Sequence, residues 1–267
     1  MHISARRPVA AALLLVLPAI ASAGCDIAMA DFKEKQTAEW RKTYQLEPGG
    51  RLELSNVNGK IDVQPSTGNT VDVVAEKTAK AASVEMAKQA LERVAIQESV
   101  SASGIRIETR IERSDGLFNR AGSVEVRYTV RVPAGADVRF STVNGGIEVE
   151  GLEGPIALET TNGGIKARNI SGPIEAVTTN GGVDVDLTSV AQKGAKLECT
   201  NGGIRLRLPT DAKATITARV TNGGIDTGGL QIESTESSRR RLEGRLNGGG
   251  PRIEIEGTNG GIHISSR

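Results

Sequence analysis

Seven copies of the tripeptide Asn-Gly-Gly, beginning at Asn144, Asn162, Asn180, Asn201, Asn222, Asn247 and Asn259, fill the second half of this 267-residue chain, and six of them are followed by Ile or Val. Asn144, Asn162 and Asn180 lie 18 residues apart, Asn180, Asn201 and Asn222 lie 21 apart, and Asn259 follows after 37 with Asn247 in between. Copying at nearly constant spacing means that one small structural unit is stacked on itself. A weaker unit falls midway, at Gly154-Pro155-Ile156 and Gly172-Pro173-Ile174, so that Ile147, Ile156, Ile165, Ile174 and Val183 recur every nine residues.

Each nine-residue module alternates aliphatic and charged residues, as in Ile147-Glu148-Val149-Glu150, Val183-Asp184-Val185-Asp186 and Ile204-Arg205-Leu206-Arg207. Period two with one apolar face is the pattern of a half-buried strand. An Asn-Gly corner taken alone would start a two-residue hairpin and so an antiparallel meander. Parallel stacking is the preferred reading, because identical corners in identical register put Asn over Asn and Ile over Ile. Glycines at the corners permit positive φ. The carboxamides of Asn58, Asn144, Asn162, Asn180, Asn201, Asn222 and Asn259 can then join in a ladder, as side chains do in other stacked β structures. The expected fold is all-β: a parallel β-solenoid, a single-stranded β-helix or β-roll of about 18–21 residues per coil, with one inserted or capping helix. A single coil buries too little apolar surface to hold itself, so its neighbours must supply the rest.

Aromatic residues make up 2% of the chain, and none follows Phe140. Two strand layers about 10 Å apart can be filled by Ile, Val, Leu and Ala without rings. From Ser141 onward the length allows about six coils rising ~4.8 Å each, a rod about 30 Å long. Residues 40–140 show the same alternation diluted, at Leu52-Glu53-Leu54, Asn58 to Val63, Val71-Asp72-Val73, Ile105-Arg106-Ile107 and Val124 to Val132. The single solenoid domain is therefore expected over 40–267, irregular over 40–140 and regular over 141–267. Residues 78–97 break the pattern, and Val84, Ala87, Leu91 and Val94 fall on one helical face, which predicts a packing or capping helix. The last strand lies within three residues of Arg267, so a bare terminal coil is expected, an open sheet edge on which another molecule can dock.

Arg6 and Arg7, an apolar stretch from Val9 to Ile20, and Ala21-Ser22-Ala23 read as a secretory signal peptide over residues 1–24, followed by a leader over 25–39. Two cleavage readings compete. Ala-Ser-Ala suits ordinary signal peptidase, whereas Ala23-Gly24-Cys25 resembles the box cut before a lipidated Cys, with Ser22 where Leu is usual. No later run approaches the ~18 apolar residues of a membrane-spanning helix. A membrane attachment would then run through a lipid at Cys25. Without Arg6 and Arg7 the chain keeps 31 of its 33 basic residues against 32 acidic ones, a balance that gives no case for nucleic acid. Cys199 is left without a partner for a disulfide framework or a Cys-based metal site and reads as a buried structural thiol.

Ser55-Asn56-Val57-Asn58-Gly59-Lys60-Ile61-Asp62-Val63, then Val130 to Val138 leading into Thr142-Val143-Asn144-Gly145-Gly146-Ile147, and finally Leu246-Asn247-Gly248-Gly249-Gly250, form an ordered set of segments. In that order they resemble the bacterial β-strand-repeat family DUF4097, whose members are called candidate adhesins. The resemblance spans about residues 45–267. It implies an exported, non-catalytic β-solenoid with no catalytic motif to carry over. The Arg239-Arg240-Arg241 loop and the helical stretch depart from the family pattern.

Chemistry is sparse. Glu148, Glu150, Glu159, Asp184 and Asp186 fall on outward strand positions, where a solvated face outweighs a general acid/base pair. His263, the one histidine outside the signal, has no Ser, Cys or carboxylate motif around it and reads as a surface residue. Calcium-binding β-rolls need an Asp at a fixed place after the glycines of every turn, whereas Glu148, Lys166, Asp184, Arg205 and Asp226 stand there. No metal or cofactor is expected. Arg239 to Arg241, with Glu233, Glu236 and Glu243 nearby, read as a solvated loop. The functional expectation is an exported cell-envelope protein of the periplasm or surface, an adhesin or structural module presenting long polar faces to an envelope protein or polymer. A lipid-anchored or periplasmic accessory protein, docking another envelope component through the helix or the last coil, is the alternative. A glycan-cleaving enzyme rests on β-helix analogy alone.

Overall fold

The computed structural model describes residues 34–101, 104–112 and 122–267. The signal peptide and Cys25 lie outside the described residues. Residues 34–39, expected in a leader, begin the first strand. In chain order the elements are β1 (Glu34–Gln45), β2 (Arg51–Asn58), β3 (Ile61–Ser66), β4 (Thr70–Ala81), α1 (Val84–Glu92), β5 (Val94–Ser101), β6 (Gly104–Ile111), β7 (Ser123–Pro133), β8 (Asp137–Asn144), β9 (Ile147–Glu150), β10 (Ile156–Asn162), β11 (Ile165–Ile170), β12 (Ile174–Asn180), β13 (Val183–Leu187), β14 (Ala195–Asn201), β15 (Ile204–Leu208), β16 (Ala214–Asn222), β17 (Ile225–Asp226), β18 (Ile232–Ser237), β19 (Arg241–Leu246), β20 (Arg252–Asn259) and β21 (Ile262–Ser266).

The strands form two long sheets. One runs β1-β4-β7-β3-β9-β11-β13-β15-β21-β17, the other β18-β19-β16-β20-β14-β12-β10-β8-β2-β6-β5. Alternation decides what lies between them. In β9 the side chains of Ile147 and Val149 are buried while Glu148 and Glu150 turn outward, and the same pattern runs through β13 and β15. From β8 to β15 the pairing is parallel and in register: Ile165 lies against Ile147 and Val183, and Asn162 against Asn144 and Asn180. Parallel stacking is thus observed through the middle.

At both ends the sheets become mixed, which corrects the expectation of a wholly parallel fold. β4 runs antiparallel to β1 and β7, β5 to β6, and β19 to β16 and β18. The cause is local. β3 and β4 are joined by a tight turn in which Gly68 takes φ 75°, and a short connection reverses the chain, whereas a coil corner carries it to the opposite sheet.

Chain order and stacking order also differ. The coil β2–β3 sits between β6–β7 and β8–β9. The coil β20–β21 sits between β14–β15 and β16–β17. The expected bare terminal coil is therefore corrected: the last coil is internal, and β17 with the β18–β19 hairpin covers that end. In the same place the backbone of Arg239 and Arg240 accepts hydrogen bonds from Ile225 N–H (3.0 Å) and Val220 N–H (2.9 Å), so the arginine loop closes the end of the stack.

The helix is shorter than the 78–97 expected. Residues 78–81 belong to β4 and 94–97 to β5. Ser83 caps it by accepting from Met86 N–H at 3.3 Å. Its buried face is Ala87 and Ala90, packed on Ala79 and Ala81, while Val84 is 40% exposed. Val94 is buried as a strand residue, which is why the spacing of three and four misled. All four described rings, Trp40, Tyr44, Tyr128 and Phe140, lie toward this end of the molecule. There the Tyr128 hydroxyl and Thr109 share a buried hydrogen bond of 2.7 Å between the two sheets, and Tyr44 of β1 hydrogen-bonds Glu98 of β5. Burial pushes the Tyr128 hydroxyl up to about 12, and burial followed by Glu98 raises Tyr44, so both stay protonated at neutral pH, with Tyr44 donating to Glu98.

Candidate functional site

The corner is built from three stacked columns. In the outer one, each Asn carboxamide donates to its neighbour: Asn144 to Asn58 (2.7 Å), Asn162 to Asn144 (2.8 Å), Asn180 to Asn162 (2.9 Å), Asn201 to Asn180 (2.9 Å), Asn259 to Asn201 (2.8 Å) and Asn222 to Asn259 (2.9 Å). The seven turn residues are brought into one line, with Asn259 ahead of Asn222. Asn58 ends the line by donating to the Val124 carbonyl at 3.3 Å.

Two residues before Asn144, Asn162, Asn180 and Asn201 lies an inward column that the sequence reading overlooked. Thr160 donates to the Gly145 carbonyl (2.8 Å) and Thr178 to Gly163 (2.9 Å). Cys199 takes the same place in the next coil, its thiol 3.0 Å from the Gly181 carbonyl. Burial raises its pKa, which favours the protonated thiol, a donor standing in for a hydroxyl. The recurrence of Thr at 142, 160 and 178 was the available signal.

The two glycines of each corner do different things. A Cβ on Gly163 or Gly181 would lie 2.0 Å from the carbonyl oxygen of the same glycine one coil earlier. That position is closed to any side chain. A Cβ on Gly164 or Gly182 would meet its nearest atom at 3.4 Å, an ordinary contact, and in the coil β2–β3 the corresponding residue is Lys60. The second glycine is therefore not required by packing. Its repetition leaves an open groove of 620 Å³ along the ten-stranded sheet, floored by Gly164, Gly182, Gly203 and Gly261.

Beside that groove runs a column of alternating charge, Glu148, Lys166, Asp184, Arg205, His263 and Asp226, set by the strand register. Most of it is internally paired. Glu148 bonds Lys60 and Arg168, each at 2.8 Å, Asp184 bonds Arg207 at 2.6 Å, and Asp186 bonds Arg267 at 2.8 Å. Lys60 holds the Glu148 carboxyl below the usual range. His263 Nδ1 lies 2.8 Å from Asp226, whose carboxyl is lowered first by the Gly228 N–H and then by His263. Both side chains are substantially exposed. Opposite charges in register on exposed strands contribute fractions of a kcal/mol each.

The outer face of the eleven-stranded sheet carries three adjoining depressions of 430, 360 and 380 Å³, running from Arg51 and Arg106 past Arg139, Ala157 and Glu175 to Arg252. Arg51 grips Asp137 with two nitrogens, at 2.9 and 2.7 Å. Glu150 and Glu159 are exposed, as are Arg239 and Arg240 at the far end. Among the described residues no group of three or more His, Cys, Asp and Glu side chains is placed to hold a metal ion, and no helix is long and apolar enough to cross a membrane. Cys25 lies outside the described residues.

A family model described as Toastrack DUF4097 matches residues 41–265. A crystal structure of a candidate cell adhesion protein from Clostridium sporogenes is similar over 87% of this chain and 100% of its own, at 13% identity and TM-score 0.49. A candidate adhesin from Bacteroides fragilis is similar over 86% and 97%, at 12% identity and TM-score 0.32. A lipid-binding candidate from Parabacteroides distasonis is similar over 85% and 96%, at 9% identity and TM-score 0.24. No curated protein matches the sequence.

Proposed function

The chain belongs to the Toastrack (DUF4097) family, and from that premise we propose that it is an exported, non-catalytic module of the cell envelope that contacts an envelope protein or polymer through its long polar faces. Its middle is read as a parallel β-solenoid of 18–21 residues per coil, a rigid spacer whose outer surface repeats every ~4.8 Å. The single observation that carries the reading is the groove beside the Asn ladder, kept open by glycines that packing does not require. A surface of this kind suits an extended partner laid along the stack, since it offers successive carboxamides and charges at one spacing and no enclosed cavity. The non-catalytic reading is supported by the groups that would have to react: the Cys199 thiol is committed to a backbone carbonyl, and His263 pairs with an exposed carboxylate.

Fractionation, together with the mass of the mature N-terminus, tests export and the lipid on Cys25. Binding of the purified protein to isolated envelope material tests the surface. Lys166→Trp and Gly182→Arg, both filling the groove, are expected to lower retention at least about tenfold while leaving the melting temperature nearly unchanged. Unchanged retention, or a protein that stays in the cytosolic fraction, would overturn the proposal.

A further inference from the structure

We propose that residues 214–267 form an exchangeable unit, which a second copy of this chain can accept in place of its own, giving an intertwined dimer joined by the strand pairs that close the monomer. Among the described residues β16 pairs with β19 and β20, β18 with β19, and β17 with β21. The unit thus has its own sheets and its own buried residues, Ile216, Leu242, Leu246 and Ile255. Its strand pairing to the rest of the molecule runs through β14–β20 and β15–β21 alone.

One connector, residues 209–213, joins this unit to β15. It keeps a Pro209–Ala212 backbone turn bond of 3.1 Å and a buried Ala212, and one side chain ties it to the unit: Asn247 Nδ2 donates to the carbonyls of Thr210 (3.2 Å) and Ala212 (2.9 Å). Asn247 belongs to the seventh Asn-Gly-Gly, the copy outside the ladder, and it sits at φ 50°. Freed, the connector can extend about 20 Å between Leu208 and Ala214.

The edge left behind defines the partner. Asn201, Ile204 and Leu206 would be uncovered, and they are read in register by Asn259, Ile262 and Ile264. An open strand edge above a buried aliphatic core is quenched by a matching segment, and the segment that matches this register is the one carried by every copy of the chain. Exchange of an identical element through an extended connector is an inexpensive route to a dimer.

The experiment uses the full chain with Cys25→Ser and Cys199→Thr, and with Lys196→Cys and Glu254→Cys, which are Cα partners across β14–β20 and are 45% and 41% exposed as native side chains. The protein is concentrated, passed through mild denaturant, returned to native buffer, oxidised and run without reductant. The expected result is a covalent dimer whose share grows with concentration and rises roughly tenfold when Asn247→Gly releases the two connector hydrogen bonds. Arg205→Cys with His263→Cys, partners across β15–β21, is expected to behave the same way. Crosslinks confined to monomers at every concentration, with Asn247→Gly included and in both cysteine pairs, would overturn the proposal.

Discussion

The middle of the molecule and its two ends are held together by different physics. Between β8 and β15 the core and the corners are held by repeats: carboxamide on carboxamide, hydroxyl or thiol on the glycine carbonyl of the preceding coil, aliphatic on aliphatic. At the ends each device is used once. One end has the Tyr128–Thr109 bond, the Tyr44–Glu98 contact, the helix and the antiparallel pairs β1–β4, β4–β7 and β5–β6; the other has the arginine loop and the β18–β19 hairpin. Repetition makes coils stable but interchangeable, so it cannot say where the stack stops. The ends do so by turning the chain back, and in both cases they seat the outermost coil of the sequence inside the stack.

The largest effect that would sharpen this contrast is expected at the first glycine of a middle corner. Gly163→Ala forces a Cβ to 2.0 Å from the Gly145 carbonyl oxygen and 3.0 Å or less from the backbone atoms beside it, and is expected to cost about 3 kcal/mol or more in denaturant unfolding. Gly164→Ala, one residue later, is expected to be neutral within about 1 kcal/mol. At the end of the stack Gly248, at φ 85° with nothing within 4 Å of a Cβ, is expected to lose only the about 1–2 kcal/mol of a left-handed alanine. Equal losses at Gly163 and Gly248 would dissolve the distinction between close stacking and local turn strain.

Next in size is Tyr128→Phe, which leaves Thr109 buried without its partner and is expected to cost about 1–3 kcal/mol. Because this bond joins the sheets only at the ring-filled end, hydrogen exchange is expected to rise in β6 and β7 and to stay unchanged in β12 to β15.

How much of this could be read in advance follows from the same contrast. The corners, the alternation, the scarcity of rings and the line of asparagines are all periodic, and periodicity survives in a sequence. Stacking order is not periodic information: the coils of Asn222 and Asn259 share the same Asn-Gly-Gly-Ile corner, so the corner alone does not say which of them fits the slot beside Asn201. β1 was missed because Gln36, Trp40 and Tyr44 are half-buried at intervals of four while Ala38 and Lys42, on the same face, stay exposed, which hides the alternation of two. The helix was legible in kind but overlong, because Val94 continues a helical spacing from inside a strand. At the surface the glycine groove was present in the letters, yet nothing in the letters distinguishes a glycine demanded by packing from one that packing spares. That distinction needed Lys60 in register with the second glycines.

Smaller effects follow from position in the ladder. Asn162→Ala removes one donated and one accepted amide bond and is expected to cost about 1–2 kcal/mol, whereas Asn222→Ala removes one ladder bond at the end and is expected to cost about half as much. Equal costs would mean that the ladder is not additive along the stack. The smallest effect is in acid. Glu98 is held below the usual carboxylate range, chiefly by the Tyr44 hydroxyl and then by Lys42. A depressed carboxylate stabilises the fold above its unfolded pKa of about 4.3 and loses that contribution as pH falls through the folded value. Melting curves are expected to show Tyr44→Phe losing less stability than the parent chain between pH 5 and the acid limit, by below about 1 kcal/mol for so exposed a pair.

The last coil in the sequence is not the last coil in the stack, and three cysteine pairs on one face of the ten-stranded sheet test this directly in dilute protein. Arg205→Cys with His263→Cys and His263→Cys with Asp226→Cys are register partners and are expected to form disulfides within one chain, while Arg205→Cys with Asp226→Cys, separated by the intervening strand, is expected to form none. Rapid bonding of the 205 and 226 pair, with loss of the 205 and 263 pair, would mean that the coils stack in chain order and would contradict the account.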